Sequence, residues 1–248
     1  MTKPDPTRFP WRNALLIVPV LLILLGWSGG IGLCALLLPG WARHRVGALV
    51  RPWGRFGLRA LGVHVELEGA EHLYRDEPRI VLFNHVSLLD ILLLAGYSPD
   101  RPLVLYKREI GRVPLFGWAF RATRMIPVDR SQREKAIASL AEAGRRIKTE
   151  RAAVMMSPEG TRSRSGMLGQ FKLGAFHLAC RTGVPIVPLI MLGIDEVLPH
   201  GSHLVRPGTV RLRALPHILT DDWNVAQVRE HANALRAIFL EQLGEDLG

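Results

Sequence analysis

The chain begins with a long apolar stretch. Residues 13–42 contain no Asp, Glu, Lys or Arg, and roughly 20 apolar residues suffice to cross a bilayer. The sequence Gly-Trp-Ser-Gly-Gly at residues 26–30 divides this stretch into two halves, residues 14–25 and 31–38, each too short to span alone. Because basic residues flank both ends, the positive-inside tendency favours a membrane-embedded helical hairpin with both ends at the cytoplasmic face over a single tilted span.

A basic segment follows the apolar stretch. Residues 42–62 mix arginine with apolar side chains, which predicts an amphipathic helix lying at the membrane surface and interrupted near Pro52. The alternative is a connecting helix that packs on the folded domain. No small-x-small cleavage sequence follows the apolar stretch, so we expect no cleaved signal peptide. We divide the chain into a membrane-associated N-terminal helical region, residues 1–62, and a folded domain, residues 63–248.

Beyond the N-terminal region, short apolar runs alternate with helical patterns. Ser131 and Glu134 match a capping box at the start of one predicted helix. Strands are predicted at residues 63–67, 80–83, 103–106, 152–156, 185–192 and 210–215, and helices at 131–148 and 223–243. Strands interleaved with helices indicate an α/β fold, in which a mixed, largely parallel sheet is flanked by helices and follows the N-terminal helical hairpin.

The net charge and composition of the chain limit the classes of partner that it is expected to bind. Lys and Arg outnumber Asp and Glu by 32 to 22, an excess that attracts polyanions such as anionic lipid or nucleic acid. Aromatic residues make up 7% and no recognised nucleic-acid-binding motif occurs, so we expect no nucleic-acid partner. Cys34 and Cys180 form no spaced framework, which suggests a reducing compartment. His200 and His203 lack further ligands at a metal-binding spacing, so we expect no metal.

The first candidate for chemistry follows a predicted strand. His85 and Asp90 are five residues apart, a spacing that places them on different faces of a straight helix. They meet only if His85 lies in the turn before a helix and Asp90 in its first turn, with Ser87 as the N-cap. Asp90 then orients the imidazole as a base. The alternative is a capping pair of Ser87 and Asp90 beside a polar turn histidine. Since no serine or cysteine is placed as a nucleophile, the dyad would activate a hydroxyl group of a substrate.

A second candidate site follows another predicted strand. Residues 159–162, Glu-Gly-Thr-Arg, emerge where α/β sheets form ligand crevices. Gly160 lets the backbone approach a phosphate closely, and Arg162 offers a planar fork for bidentate phosphate contact. Arg130 offers a second fork and Lys107 a point charge. The alternative for both arginines is a solvated surface charge.

Four blocks of the sequence resemble the signatures of the glycerolipid acyltransferase family, which includes the 1-acylglycerol-3-phosphate acyltransferases. The blocks are residues 84–90, residue 107 with 114–118 and 126–130, residues 157–163, and residues 184–188, in the order of the four signatures. The third block has serine where the family usually has phenylalanine, and the second lacks the glycine expected before its strand. One block alone is a weak signal, whereas four in order are strong.

The resemblance implies an acyltransferase catalytic domain over residues 63–248. It implies transfer of a fatty acyl group from a thioester to the sn-2 hydroxyl of lysophosphatidic acid, which gives phosphatidic acid in phospholipid biosynthesis. His85 is then the general base and Asp90 its orienting partner. Glu159 hydrogen-bonds a glycerol hydroxyl or holds Arg162. The implied substrate-binding residues are Lys107, Arg130, Glu159, Gly160, Thr161 and Arg162.

Partners follow from the same resemblance. We expect acyl-CoA or acyl-carrier protein as co-substrate, no cofactor, membrane lipids as partners, and a location at the cytoplasmic face of the cell (inner) membrane. The acyl-chain length, the choice of donor and the oligomeric state stay open. One alternative function is the same chemistry on another lysolipid, such as lyso-ornithine lipid. Another is a non-enzymatic basic protein that binds membranes.

Overall fold

One seven-stranded sheet organises the chain, whose computed structural model describes residues 11–114, 116–129, 131–160, 167–199, 202 and 204–245. The strands are β1 (Val63–Glu68), β2 (Arg79–Phe83), β3 (Pro102–Lys107), β4 (Ile126–Val128), β5 (Ala153–Met156), β6 (Ile186–Leu192) and β7 (Gly208–Ala214). Their order in the sheet is β1-β7-β6-β2-β5-β3-β4. All neighbours are parallel except β6 and β7. The predicted α/β fold with a mixed, largely parallel sheet is confirmed.

Helices cover both faces of this sheet. They are α1 (Trp11–Leu37), α2 (Pro39–His44), α3 (Val46–Ala60), α4 (Ala70–Leu73), α5 (Asp90–Gly96), α6 (Phe116–Ala122), α7 (Arg133–Thr149), α8 (Gly174–Thr182), α9 (Ile194–Val197) and α10 (Val228–Glu245). Short 3₁₀ turns occupy Arg108–Arg112 and Val225–Gln227. Every residue of β2 and β6 is buried, as expected for strands covered on both sides.

Alternate residues of the central strands face two separate hydrophobic cores. On one face, Val81 and Phe83 pack in a cluster that includes Leu24 of α1 and Trp53 of α3. On the other face, residues such as Leu82 pack in a cluster with side chains of α7, α8 and α10. The N-terminal helices α1 and α3 therefore contribute to the core on the same sheet face as α5, which begins at the candidate site.

The break predicted at residues 26–30 is absent, because α1 runs without interruption to Leu37. A glycine inside a helix costs about 1 kcal/mol relative to alanine, and an apolar helix must satisfy its backbone hydrogen bonds internally. A Cβ on Gly26 or Gly30 would meet nothing within 4 Å, whereas Gly32, just beyond the predicted break, permits close packing, since a Cβ there would lie 2.8 Å from the ring of Trp118. The chain reverses instead around α2. The indole N–H of Trp53 on α3 then donates to the carbonyl of Leu24 on α1 at 2.9 Å.

The interruption predicted near Pro52 is also wrong, because α3 continues through that residue from Val46 to Ala60. A proline inside a helix costs about 3 kcal/mol, and the packing of α3 on α5 offsets that cost. A Cβ on Gly54 would lie 2.3 Å from the backbone nitrogen of Gly96, so the two backbones are in direct contact. This is the packed connecting helix that we gave as the alternative.

The capping box predicted at Ser131 does not form. The helix α7 begins at Arg133 with Gln132 as its N-cap, and the cap makes no side-chain hydrogen bond. The hydroxyl of Ser131 instead donates to Asp129 Oδ1 at 2.6 Å. The backbone N–H of Ser131 donates to the same oxygen at 3.1 Å, so Ser131 belongs to the turn that Asp129 stabilises and not to the helix start.

Among the described residues, one helix is long and apolar enough to cross a membrane. It is the segment Val18–Leu37 of α1, with a mean hydropathy of 2.3. Its large side chains are divided between the core and the exterior: Leu24 is buried, whereas Leu22 and Leu36 are exposed. The helix therefore both packs on the sheet domain and presents an apolar outer face.

Candidate active site

The candidate site lies at the carboxyl end of β2, where Asn84 continues the strand. The side-chain amide of Asn84 donates to the carbonyl of Met191 at 3.0 Å and accepts the N–H of Met191 at 2.8 Å. This buried amide replaces a pair of backbone hydrogen bonds between β2 and β6. It fixes the point at which the chain leaves the sheet, one residue before His85.

His85 and Asp90 meet as the spacing predicts, with His85 in the turn and Asp90 at the first residue of α5. The distance between His85 Nδ1 and Asp90 Oδ2 is 2.5 Å, and Asp90 is fully buried. Asp90 Oδ2 also accepts the backbone N–H groups of Val86 at 2.9 Å and Ser87 at 3.0 Å. An oxygen that already accepts two donors acts as an ionised acceptor, so we assign the Nδ1 proton to His85. His85 Nε2 is then free to act as a base.

Ser87 does not occupy the N-cap position predicted for it. The helix α5 begins at Asp90 with Leu89 at the N-cap, and Ser87 Oγ accepts the N–H of Leu89 at 3.1 Å. The N–H groups of Val86, Ser87 and Leu89 are therefore all occupied. An oxyanion that forms near His85 must be stabilised by other donors.

Glu159 makes contacts that the sequence did not predict. This residue is 6% exposed. Its Oε1 accepts the N–H of His85 at 3.2 Å, and its Oε2 accepts the N–H of Gly169 at 2.9 Å. Each carboxylate oxygen of Glu159 is thus already bonded to a backbone donor, so the side chain holds the turn of His85 to the loop after β5.

Gly160 adopts a left-handed backbone conformation, with φ of 71°, which favours glycine. A Cβ at this position would lie 2.9 Å from Lys172 Cδ and 3.0 Å from Lys172 Nζ. The chain crosses itself at the base of the same loop, where the N–H of Lys172 donates to the carbonyl of Pro158 at 2.7 Å. The ammonium group of Lys172 therefore lies beside the backbone of Gly160.

Lys107 ends β3 at the same edge of the sheet, with β5 between β3 and β2. Neighbouring strands are about 4.8 Å apart, so the end of β3 is about 10 Å from the end of β2. The Lys107 ammonium is half-exposed and lies 3.9 Å from Glu109 Oε2. The structure thus places Lys107 at the same end of the sheet as the dyad, with β5 between the strand of Lys107 and β2. The remaining predicted residues Arg130, Thr161 and Arg162, and the histidines His200 and His203, lie outside the described residues.

Asp129 directly follows the strand β4 at this edge, and its hydrogen bonds favour the ionised carboxylate. The Ser131 hydroxyl donates to Asp129 Oδ1, and this hydrogen bond lowers the pKa of the carboxyl below its ordinary value. Arg108 adds to the effect through a contact of 3.1 Å with Asp129 Oδ2. Among the described residues, no group of three or more His, Cys, Asp and Glu side chains is arranged to hold a metal ion.

Two positioning residues of the site, Asn84 and Gly169, were missed by sequence reasoning. The signal for Asn84 was available, because a polar amide directly after a wholly apolar strand marks the end of that strand. Gly169 gave no signal, since its contact with Glu159 depends on the course of a loop of ten residues.

Comparison with known proteins identifies the class to which this site belongs. The sequence model of the Acyltransferase family matches residues 64–192, just over half of the chain. This span includes all the motifs from β1 to the end of β6. The chain therefore belongs to the acyltransferase family, as the four blocks predicted.

Individual relatives agree in name. The chain is 32% identical to a 1-acyl-sn-glycerol-3-phosphate acyltransferase of Cocos nucifera over 227 residues, 91% of this chain and 69% of that protein. It is 33% identical to the human 1-acyl-sn-glycerol-3-phosphate acyltransferase alpha over 71% of this chain and 62% of that protein. The crystal structure of the 1-acyl-sn-glycerophosphate (LPA) acyltransferase PlsC from Thermotoga maritima superimposes with a TM-score of 0.77 at 25% identity, covering 93% of this chain and 95% of that one.

Proposed function

We propose that this chain is a 1-acyl-sn-glycerol-3-phosphate acyltransferase, which moves a fatty acyl group from a thioester to the sn-2 hydroxyl of lysophosphatidic acid and releases phosphatidic acid and a free thiol. The observation that carries the proposal is the contact of 2.5 Å between His85 Nδ1 and the fully buried Asp90. The names of the relatives support the choice of acceptor.

The geometry of the dyad suits direct transfer. His85 Nε2 takes the proton of the acceptor hydroxyl as its oxygen attacks the thioester carbonyl, and Asp90 stabilises the imidazolium that forms. The tetrahedral intermediate collapses with cleavage of the carbon–sulfur bond. The thiolate leaves and takes up a proton, and no acyl-enzyme is required.

The second part of the proposal concerns the residues that bind the phosphate of the acceptor. Lys107, Arg130 and Arg162 belong to sequence blocks that follow β3, β4 and β5, neighbouring parallel strands whose carboxyl ends share one edge of the sheet. Cationic side chains at such an edge suit a phosphate monoester. Gly160 has no side chain to block a phosphate there, and Thr161 in the same sequence block supplies a hydroxyl group.

The chain associates with membranes through α1. We assign its basic flanks and sheet domain to the cytoplasmic face, where acyl-CoA and acyl-carrier protein are available. Both donors are acidic and match the net charge of +10. No cofactor is needed for acyl transfer from a thioester.

Acyl transfer by the purified protein tests the proposal. In detergent micelles with lysophosphatidic acid, the wild-type chain should release thiol from acyl-CoA and form phosphatidic acid in equal amounts. General-base catalysis contributes about 10²–10⁴ in rate, so His85→Ala should lower kcat by at least about 100-fold. A panel of other lysolipids, including lyso-ornithine lipid, and of both donors defines the preferred substrates.

His64→Ala is the matched control, because His64 lies exposed on β1, which β7 and β6 separate from β2 in the sheet. This variant should keep the wild-type rate. A His85→Ala protein that binds lipid normally and transfers acyl groups at the wild-type rate would exclude His85 as the base. Transfer to another lysolipid in preference to lysophosphatidic acid would overturn the assigned acceptor and leave the dyad intact.

A further inference from the structure

The described end of the loop after β5, residues 167–172, is held by a residue of the C-terminal helix. Arg236 on α10 donates from Nε to the carbonyl of Gly169 and from Nη2 to the carbonyl of Leu168, both at 2.9 Å. Two parallel bonds from one guanidinium to successive carbonyls fix both the position and the direction of the chain. Among the residues that the structure describes, no carboxylate forms an ion pair with Arg236.

The peptide group between Leu168 and Gly169 links two charges. Its carbonyl accepts from the guanidinium of Arg236, and its N–H donates to Glu159 Oε2 at 2.9 Å. A peptide that is polarised by a cation at its oxygen becomes a stronger donor at its nitrogen. Arg236 and Glu159 therefore hold opposite ends of the same peptide unit.

Glu159 connects the loop that Arg236 contacts to the turn that carries His85. Its second oxygen accepts the N–H of His85 at 3.2 Å, so the chain of contacts runs from α10 through the loop to the turn that carries the imidazole. In the sequence, residues 161 and 162 lie between Glu159 and Gly169, the two residues that the hydrogen bond to Glu159 Oε2 joins. The near end of the loop is held by β5, whereas Arg236 is the contact from α10 that holds the far end.

We propose that Arg236 is a positioning residue for acyl transfer, which sets the acceptor-binding loop against His85 by clamping the peptide between Leu168 and Gly169. The inference rests on the proposed function, because Glu159, which the clamped peptide holds in place, is an assigned substrate-binding residue and also bonds the turn of His85. It predicts that Arg236 affects the acceptor more than the donor. Arg236 itself touches neither substrate.

Steady-state kinetics of Arg236→Ala test the clamp. Loss of two hydrogen bonds from a charged donor should raise KM for lysophosphatidic acid by at least about tenfold, with a smaller fall in kcat and no change in KM for acyl-CoA. Arg236→Lys keeps the charge and one donor position but loses the fork, so it should recover part of the loss. Arg229→Ala, an exposed arginine on the same helix, should leave both KM values unchanged.

Hydrogen exchange gives a readout that does not depend on the substrate. Amides of residues 167–172 should exchange faster in Arg236→Ala than in the wild type, whereas Arg229→Ala should match the wild type. Equal exchange and equal KM values in Arg236→Ala and the wild type would overturn the clamp. So would a global loss of protection in both Arg236→Ala and Arg236→Lys, since that pattern indicates a general structural role. A wild-type chain without transfer to lysophosphatidic acid refutes the proposed function, and the exchange data still decide the clamp.

Discussion

At the scale of single residues, one oxygen of Asp90 both orients the His85 imidazole and holds the backbone of the turn before α5. Its Oδ2 accepts from His85 and from two backbone N–H groups, while Oδ1 is buried and without a hydrogen-bond partner among the described residues. A buried carboxylate is stabilised only by such donors. The same contacts that shape the turn therefore fix the carboxylate that orients the imidazole.

Asp90→Asn separates these tasks, because the side chain keeps its size and loses its charge. The amide can still accept from the turn through its oxygen, but it stabilises an imidazolium poorly and can reverse the tautomer of His85. We expect kcat to fall by about 10²–10⁴, measured by thiol release at saturating substrates. Circular dichroism should show a folded protein, and a folded Asp90→Asn with unchanged kcat would contradict the role of the carboxylate.

The residues of the site differ in how well the sequence predicted them. His85 and Asp90 are five residues apart, and their contact depends only on a strand end followed by a helix start. The contact of Asn84 with Met191 joins residues that are 107 positions apart, so the local pattern gave its type but not its partner. The contact of Glu159 with Gly169 was not predicted for the same reason, because Gly169 reaches it through a loop whose course no periodicity defines. The predicted roles of Glu159 toward the substrate and Arg162 stay predictions.

At the scale of elements, two glycines allow α3 to lie directly on α5. A Cβ on Gly54 would be 2.3 Å from the nitrogen of Gly96 and 2.5 Å from the carbonyl oxygen of Leu92. Both atoms belong to the backbone of the helix that begins with Asp90, so they cannot move aside alone. The packing of the membrane-associated region thus bears on the position of a dyad residue.

Gly54→Ala should therefore push α5 away and destabilise the protein. Overpacking of this kind typically costs about 1–3 kcal/mol, and the displaced Asp90 should lower kcat as well. Thermal unfolding in detergent and thiol release measure the two effects. Gly40→Ala is the control, since a Cβ at Gly40 meets nothing within 4 Å, and it should leave both unchanged. Equal melting temperatures for Gly54→Ala and the wild type would show that the helices are not in close contact.

Helix boundaries show where local sequence signals were overridden. Glycine, serine and proline predicted breaks in α1 and α3, yet both helices are continuous because tertiary contacts offset the local cost. Gly32 faces Trp118 and Gly54 faces Gly96, and neither partner is adjacent in the sequence. Gly32 and Gly54 thus enable packing that helps to maintain the two helices, although neither is a residue from which a break was predicted.

At the scale of the whole molecule, the apolar runs predicted the sheet but not its order. The apolar runs at residues 80–83 and 185–192 indicated strands covered on both faces, and the corresponding strands β2 and β6 are central. The register of β1 with β7 pairs Val63 with Gly208. These residues are far apart in the sequence, and the pattern of apolar residues does not encode which strands pair. The division of the chain at residue 62 stays a prediction, and the packing of Leu24 and Trp53 with sheet residues joins the two regions in one core.

The outer face of α1 and the net charge of +10 both favour binding to an anionic membrane, and Leu22→Lys distinguishes their contributions. Leu22 is 64% exposed, so the substitution should leave the fold intact while it places an ammonium in the apolar face. If burial of α1 drives binding, this variant should float less with vesicles that contain anionic lipid despite its added positive charge, and its transfer in detergent should be normal. Leu219→Lys, at a loop position that is 69% exposed, adds the same charge away from α1 and should bind at least as well as the wild type. Stronger flotation of Leu22→Lys would instead show that charge alone holds the protein to the membrane, because insertion of an apolar helix is opposed by a buried ammonium.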